Sequence, residues 1–143
     1  MPNPRILIVD DEERYRTTLS KRLEERDLEV AHFGSGLEAL EEIKRKLFDV
    51  VVLDVKMPGL NGFETLTEIK KYNPGIEVIL LTGHASVDSA VDGMRLGAYD
   101  YVLKPCEIEK LLEKIMGAYS VKSSRDERIL QAEIRRLVDR KPS

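Results

Sequence analysis

Residues 50–62 read Val50-Val51-Val52-Leu53-Asp54-Val55-Lys56-Met57-Pro58-Gly59-Leu60-Asn61-Gly62. Four apolar residues, three of them β-branched, follow one another without a polar break, the pattern of a strand buried on both faces. The run meets an aspartate, then a Met-Pro-Gly turn. Asn61 follows, three residues before Glu64, the spacing of a helix capping box. A doubly buried strand ending in a carboxylate and leading into a helix belongs in a parallel sheet covered on both sides.

The rest of the chain repeats this alternation. Residues 5–9, 29–33, 77–81 and 99–103 also read as strands, and Val78-Ile79-Leu80-Leu81 is again continuous. Helical spacing marks the stretches between them: Leu19 and Leu23; Leu37, Leu40, Ile43 and Leu47; Phe63, Leu66 and Ile69; Ala90, Val91 and Met94; then Ile108, Leu111, Leu112 and Ile115. Ser35 with Glu38 predicts a second capping box. Asn73-Pro74-Gly75 closes the third helix. Five strands alternating with five helices predict an α/β fold with a doubly wound parallel sheet.

Composition agrees with that class. The 143 residues are 42% hydrophobic and 34% charged, ordinary for a globular chain. A chain of this length can bury roughly 68% of its unfolded surface, so the core needs no disulfide or structural metal. The net charge of −3 offers no general polycation to nucleic acid or membrane. Apolar runs of four residues fall far short of a membrane span of roughly 20. Met-Pro-Asn-Pro-Arg opens the chain with no long apolar stretch behind it, which predicts no secretory signal. With Cys106 the single cysteine, the expected location is the cytoplasm. Charge shifts near the end: residues 120–143 carry seven basic and four acidic side chains, residues 1–119 carry 16 and 22. The expected division is a domain over 1–119 and a tail over 120–143.

Ligands of an open parallel sheet bind beyond the carboxyl ends of the strands. Asp10 and Asp11 follow the first strand here, Asp54 ends the third, Thr82 follows the fourth and Lys104 the fifth, before Pro105. Three carboxylates on one rim repel each other unless a cation neutralises them. An all-oxygen set suits a hard ion such as Mg2+. Carboxylates, a divalent ion, a lysine and a hydroxyl together suit a phosphoryl group, which an aspartate can accept as nucleophile.

These residues carry a resemblance. Ile6-Leu7-Ile8-Val9-Asp10-Asp11-Glu12, Val51-Val52-Leu53-Asp54-Val55-Lys56-Met57-Pro58-Gly59-Leu60-Asn61-Gly62, Leu81-Thr82-Gly83-His84 and Gly97-Ala98-Tyr99-Asp100-Tyr101-Val102-Leu103-Lys104-Pro105 stand in an order and spacing similar to the receiver domain of bacterial two-component response regulators. The match covers about residues 5–119. It implies a flavodoxin-like sheet of order 2-1-3-4-5. It implies Asp54 as phosphoacceptor, and Asp11, Asp54 and the backbone carbonyl of Lys56 as Mg2+ ligands, with Asp10 acting through water. It implies Lys104 as the phosphoryl's partner, Thr82 as the hydroxyl that moves toward it, and Tyr101 as the aromatic switch. His84, two residues past Thr82, is expected to affect phosphoryl hydrolysis. The resemblance implies a phosphoacceptor that assists its own phosphorylation and dephosphorylation, not an enzyme. Its partners would be a sensor histidine kinase or phosphotransfer protein and a downstream protein target or effector domain.

Two rival readings stand beside it. Gly34-Ser35-Gly36-Leu37-Glu38-Ala39 fits the dinucleotide pattern G-x-G-x-x-A, but it follows the second strand, and its Ser35 and Glu38 are explained as a cap. A Mg2+-dependent phosphatase working through an aspartyl-phosphate would be expected to show D-x-D after its first strand, where this chain has Asp10-Asp11-Glu12. Cys106 reads as a small buried thiol and His32 as a strand-face residue. Tyr15, Tyr72 and Tyr119 read as packing or surface residues. In the tail, Ser124 and Glu127 predict a further cap. Ile129, Leu130, Ile134, Leu137 and Val138 form a stripe opposite Arg125, Arg128, Arg135, Arg136 and Arg140. Interspersed acids and the lack of a base-reading fold disfavour DNA contact, so the tail is expected to pair with a second copy, its own domain or an effector.

Overall fold

The computed structural model describes residues 3–83 and 87–139. The elements follow in the order β1 (Arg5–Val9), α1 (Glu13–Glu24), β2 (Glu29–Phe33), α2 (Gly36–Arg45), β3 (Val50–Asp54), α3 (Gly62–Tyr72), β4 (Glu77–Thr82), α4 (Val87–Arg95), β5 (Asp100–Leu103) and α5 (Ile108–Asp139). The five strands form one sheet ordered β2-β1-β3-β4-β5, all neighbours parallel. Helices cover both faces, as the continuous apolar runs require. Leu7, Val9, Val51, Leu53, Val78 and Leu80 pack on one side against Ala39 and Ile43 of α2 and Leu66 and Ile69 of α3. Ile6, Ile8, Val50, Val52, Ile79 and Leu81 pack on the other against Leu19 and Leu23 of α1 and Leu111, Ile115 and Ala118 of α5. In α2 the buried apolar stripe is narrower than its leucines predict: Leu37 and Leu47 are exposed, because Ala39 and Ile43 face the sheet and the helix ends at Arg45.

The chain moves from β1 out to β2, then back across to β3, so the winding direction reverses between β1 and β3. Their carboxyl ends are where such a sheet opens a crevice. The turn after β3 is held tightly. Asn61 and Glu64 form the expected capping box, each side chain accepting from the other's backbone N–H. At α2 the Ser35 hydroxyl accepts from the Glu38 N–H, while the Glu38 carboxylate accepts from the hydroxyl. The Gly62 N–H donates to the Val55 carbonyl at 3.0 Å. A Cβ on Gly62 would lie 2.4 Å from the Asp54 carbonyl oxygen and 2.6 Å from the Val55 Cα, so only glycine lets α3 start this close to β3.

One expectation is corrected at the C-terminus. No new helix starts at Ser124, because α5 runs on without a break from Ile108 to Asp139. Nothing between Tyr119 and Arg125 breaks a helix, and serine costs only a few tenths of a kcal/mol in its interior. Tertiary contacts then hold that segment down. Lys122 pairs with Asp49 at 3.3 Å, and Arg125 reaches the buried Glu77 at 3.0 Å and the Pro74 carbonyl at 3.3 Å. Beyond Arg125 the helix leaves the domain.

Replacing Gly62 by alanine should destabilise the protein by about 1–3 kcal/mol, the range for overpacking. Alanine at Gly83, where a Cβ meets nothing within 4 Å, should change stability by less than about 0.5 kcal/mol. Urea unfolding of the two variants checks the contrast.

Candidate functional site

The reversal point gathers carboxylates. Asp10 follows β1 and is fully buried; Asp54 ends β3 and is nearly so. The two lie side by side because β1 and β3 pair with Val9 opposite Leu53. The Asp10 N–H donates to the Phe33 carbonyl at 3.1 Å, and its Oδ1 accepts from the Glu12 N–H at 2.9 Å, opening α1. Asp11 stands exposed at the rim. Ligand oxygens of Asp10, Asp11 and Asp54 all fall within 4.8 Å of one another.

Lys104 reaches over from the end of β5. Its Nζ lies 2.6 Å from Asp10 Oδ2, 3.5 Å from Glu12 Oε1 and 3.6 Å from Asp54 Oδ2. It also sits 4.7 Å above the centre of the Tyr15 ring, a cation–π contact. The Lys104 N–H donates to the Thr82 carbonyl at 2.8 Å, which ties the lysine's backbone to the end of β4. Burial works against the Lys104 ammonium, but the Asp10 contact and the charges of Asp10, Asp54 and Glu12 prevail and raise its pKa. Burial also pushes the Asp54 carboxyl up to about 7, reinforced by Asp10 and opposed by Lys104 and the Lys56 N–H. That N–H approaches Asp54 Oδ1 at 3.4 Å. Among the described residues the Lys104 ammonium is thus shared by three carboxylates, those of Asp10, Glu12 and Asp54.

The donor chemistry fits a hard divalent cation. Every oxygen in the trio comes from a carboxylate, and Asp10 Oδ2, despite its short approach to Lys104, lacks the alignment of a hydrogen bond and is otherwise buried without a donor. Burial, and after it repulsion from Asp10, lifts the Asp54 pKa, and a 2+ ion would relieve the repulsion. An open cleft lined by Asp11, Val55, Lys56, Met57, Pro58, Asn61 and Phe63 leads from solvent to this rim.

The structure thus brings together Asp10, Asp11, Asp54 and Lys104, with Thr82 buried at the adjoining strand end. Lys56 borders the trio through its N–H. Tyr101 stands apart: it is partly exposed on β5 and lines a shallow apolar groove with Ala90, Val91, Met94 and Arg95. His84 lies outside the described residues. Tyr15 and Glu12 belong to the site, although in the sequence Tyr15 reads as a packing or surface residue and Glu12 carries no assigned role. Tyr15 lies in the first turn of α1, which opens directly after the Asp10–Glu12 rim, and that nearness in sequence could have signalled its place in the site. Cys106, half-buried, lies 3.7 Å from the Tyr15 hydroxyl; burial first, then Cys106, raises the Tyr15 pKa. The Gly34-Ser35-Gly36 turn is a packing feature, since a Cβ on Gly36 would meet Thr65 Oγ1 at 2.2 Å.

Residues 6–116 match the family model of the response regulator receiver domain. The transcriptional regulatory protein ZraR of Klebsiella oxytoca is 43% identical over 106 residues, covering 74% of this chain and 24% of that protein. The DNA-binding transcriptional regulator NtrC of Escherichia coli is 35% identical over 115 residues, covering 80% of this chain and 24% of its own length. The chain therefore spans about a quarter of these relatives. The crystal structure of a CheY-like response regulator receiver domain protein from Methanospirillum hungatei JF-1 superposes with a TM-score of 0.82 at 32% identity, covering 87% of this chain and 99% of that one. With its five-stranded parallel sheet and its rim of aspartates, this chain belongs to the response regulator receiver domains, the phosphoacceptor family of two-component signalling.

Proposed function

We propose that this receiver accepts a phosphoryl group on Asp54, with Mg2+ held by Asp10, Asp11, Asp54 and the Lys56 backbone carbonyl. The observation that carries this reading is the buried Asp54 carboxylate, clustered with Asp10 and Asp11 and 3.6 Å from the Lys104 ammonium. The donor is a sensor histidine kinase, a phosphotransfer protein or a small phosphodonor. An Asp54 oxygen attacks phosphorus; the bond from phosphorus to the donor atom breaks, and the donor keeps that electron pair. When bound, Mg2+ supplies charge neutralisation for the carboxylates and the phosphoryl oxygens. Asp54 must be ionised to attack, so a cation that lowers its raised pKa also activates it. Lys104 neutralises a phosphoryl oxygen, and the Thr82 hydroxyl donates to another. The added charge of about −1.5 to −2 draws both inward and opens room for Tyr101 to leave its exposed position. Neither rival reading gains support, since the glycine turn is filled by packing and no D-x-D follows β1.

Output passes through protein contacts. Among the described residues, Ile129, Leu130, Ile134, Leu137 and Val138 are all exposed on the distal part of α5. An isolated helix with such a stripe is marginal in water and gains by pairing.

Acetyl phosphate with Mg2+ should add one acid-labile phosphoryl group, visible by mass spectrometry, and Asp54→Asn should abolish it. Full labelling of that variant would remove Asp54 from the centre of the reaction.

The raised Asp54 pKa sets a pH dependence. Below the unfolded value of 3.8 the group is protonated in both states and contributes nothing. Between that value and about 7 the unfolded chain releases a proton that the folded one keeps, so stability falls as pH rises. Above about 7 the penalty is complete. In metal-free buffer Asp54→Asn should therefore raise Tm by several degrees at pH 8 and by much less at pH 4.5. Saturating Mg2+ should shrink the difference at pH 8.

Removing residues 127–143 should change oligomeric mass or partner binding, read by light scattering, while Asp54 labelling persists. Removing residues 121–143 should in addition cost about 1–3 kcal/mol, since Glu77 stays buried without Arg125.

A further inference from the structure

Asp11 is the exposed member of the trio, so its placement depends on the peptide that joins it to Asp10. That peptide is gripped from outside the rim. Arg16, half-buried in the first turns of α1, sends its side chain back toward the helix N-terminus, the direction helical side chains favour. Its NH1 donates to the Asp10 carbonyl oxygen at 3.2 Å, and its Nε donates to Nδ1 of His32 on β2 at 3.2 Å. The guanidinium lies over Gly34, where a Cβ would stand 3.1 Å from NH1, 3.5 Å from Cζ and 3.6 Å from NH2. Asp10 is thus held on both sides of its Cα: its N–H by the Phe33 carbonyl and its C=O by Arg16. Its carboxylate accepts from the Glu12 N–H through Oδ1 and is ion-paired with Lys104 through Oδ2.

We propose that Arg16, itself oriented by His32, is a positioning residue for the cation site: by fixing the Asp10 carbonyl it sets the Asp10–Asp11 peptide and so the place of the Asp11 carboxylate. The proposal rests on the reading of Asp10, Asp11 and Asp54 as the Mg2+ site. A planar guanidinium can serve a carbonyl and an imidazole nitrogen at once with fixed geometry. The ammonium of a lysine cannot hold that fork. His32, which the sequence presents as an ordinary strand-face residue, becomes the acceptor that selects one Arg16 rotamer, and Gly34 leaves the space in which that rotamer lies. A partner that orients a ligand from outside typically changes metal affinity about 10- to 100-fold when removed.

The test measures Mg2+ binding by isothermal titration calorimetry and Mn2+ binding by water proton relaxation on the full chain, with metal-free thermal unfolding recorded alongside. Arg16→Ala should weaken both cations about 10-fold or more with the protein still folded. Arg16→Lys, which keeps the charge, should still be weakened at least 3-fold. His32→Phe, which keeps ring volume but offers no acceptor, should lose several-fold, and His32→Asn, whose side-chain oxygen can stand near the Nδ1 position, should recover most of that loss. The rate of labelling by acetyl phosphate in Arg16→Ala should approach wild type at saturating Mg2+, a defect in apparent metal affinity and not in the chemical step. Wild-type affinity in Arg16→Ala or Arg16→Lys overturns the positioning role. If Arg16→Ala does not fold, wild-type affinity in His32→Phe overturns the role given to the pair. Asp11→Asn separates the two readings: loss of binding there with none in the Arg16 variants removes this proposal alone, whereas retained binding in Asp11→Asn removes the cation site and the proposal with it.

Discussion

Two carboxylates buried next to each other at the ends of adjacent parallel strands are the constraint around which the rest of this molecule is arranged. Asp10 and Asp54 stand beside one another because β1 and β3 pair in register, and neither has enough water to hold its charge cheaply. Lys104 is shared among Asp10, Glu12 and Asp54. Burial first, then the charge of Asp10, pushes the Asp54 pKa up to about 7 against the pull of Lys104. The donor set at this rim, carboxylate oxygens of Asp10, Asp11 and Asp54 within 4.8 Å of one another, is the kind that suits a hard divalent cation.

The surrounding parts make that rim rigid where it must be. Gly62 brings α3 against the Asp54 peptide, the Asn61–Glu64 box ends the loop, and Phe33 and Arg16 clamp the Asp10 peptide. Lys104 is fixed through its backbone to β4 and through its side chain to the Tyr15 ring. Tyr101 is outside this framework, on an exposed strand face beside α4.

The opposite end of the sheet performs a different task. Asp49 and Glu77, at the amino ends of β3 and β4, hold Lys122 and Arg125 of α5. These pairs carry the helix past the limit of the hydrophobic core and fix the direction in which its distal apolar stripe leaves the domain. The same helix packs Leu111, Ile115 and Ala118 against the sheet, so its distal segment continues directly from an element of the core.

The sequence by itself determined the alternation of strands and helices, the burial of both sheet faces, the caps at α2 and α3, and the rim that carries Asp10, Asp11, Asp54, Thr82 and Lys104. All of these follow from local periodicity or from where a strand ends. The strand order, which periodicity leaves open, follows from the resemblance carried by the four motifs around Asp10-Asp11, Asp54, Thr82 and Lys104. Only the tertiary structure decided that Tyr15 lies under Lys104, that Glu12 competes for the same ammonium, that Arg16 and His32 join behind Asp10, and that α5 runs on through Ser124. The physical reason is distance along the chain. Lys104 meets Glu12 across 92 residues and Tyr15 meets Cys106 across 91. At Ser124 a local capping pattern lost to ion pairs with Asp49 and Glu77, residues that are neighbours of α5 only once the sheet has formed.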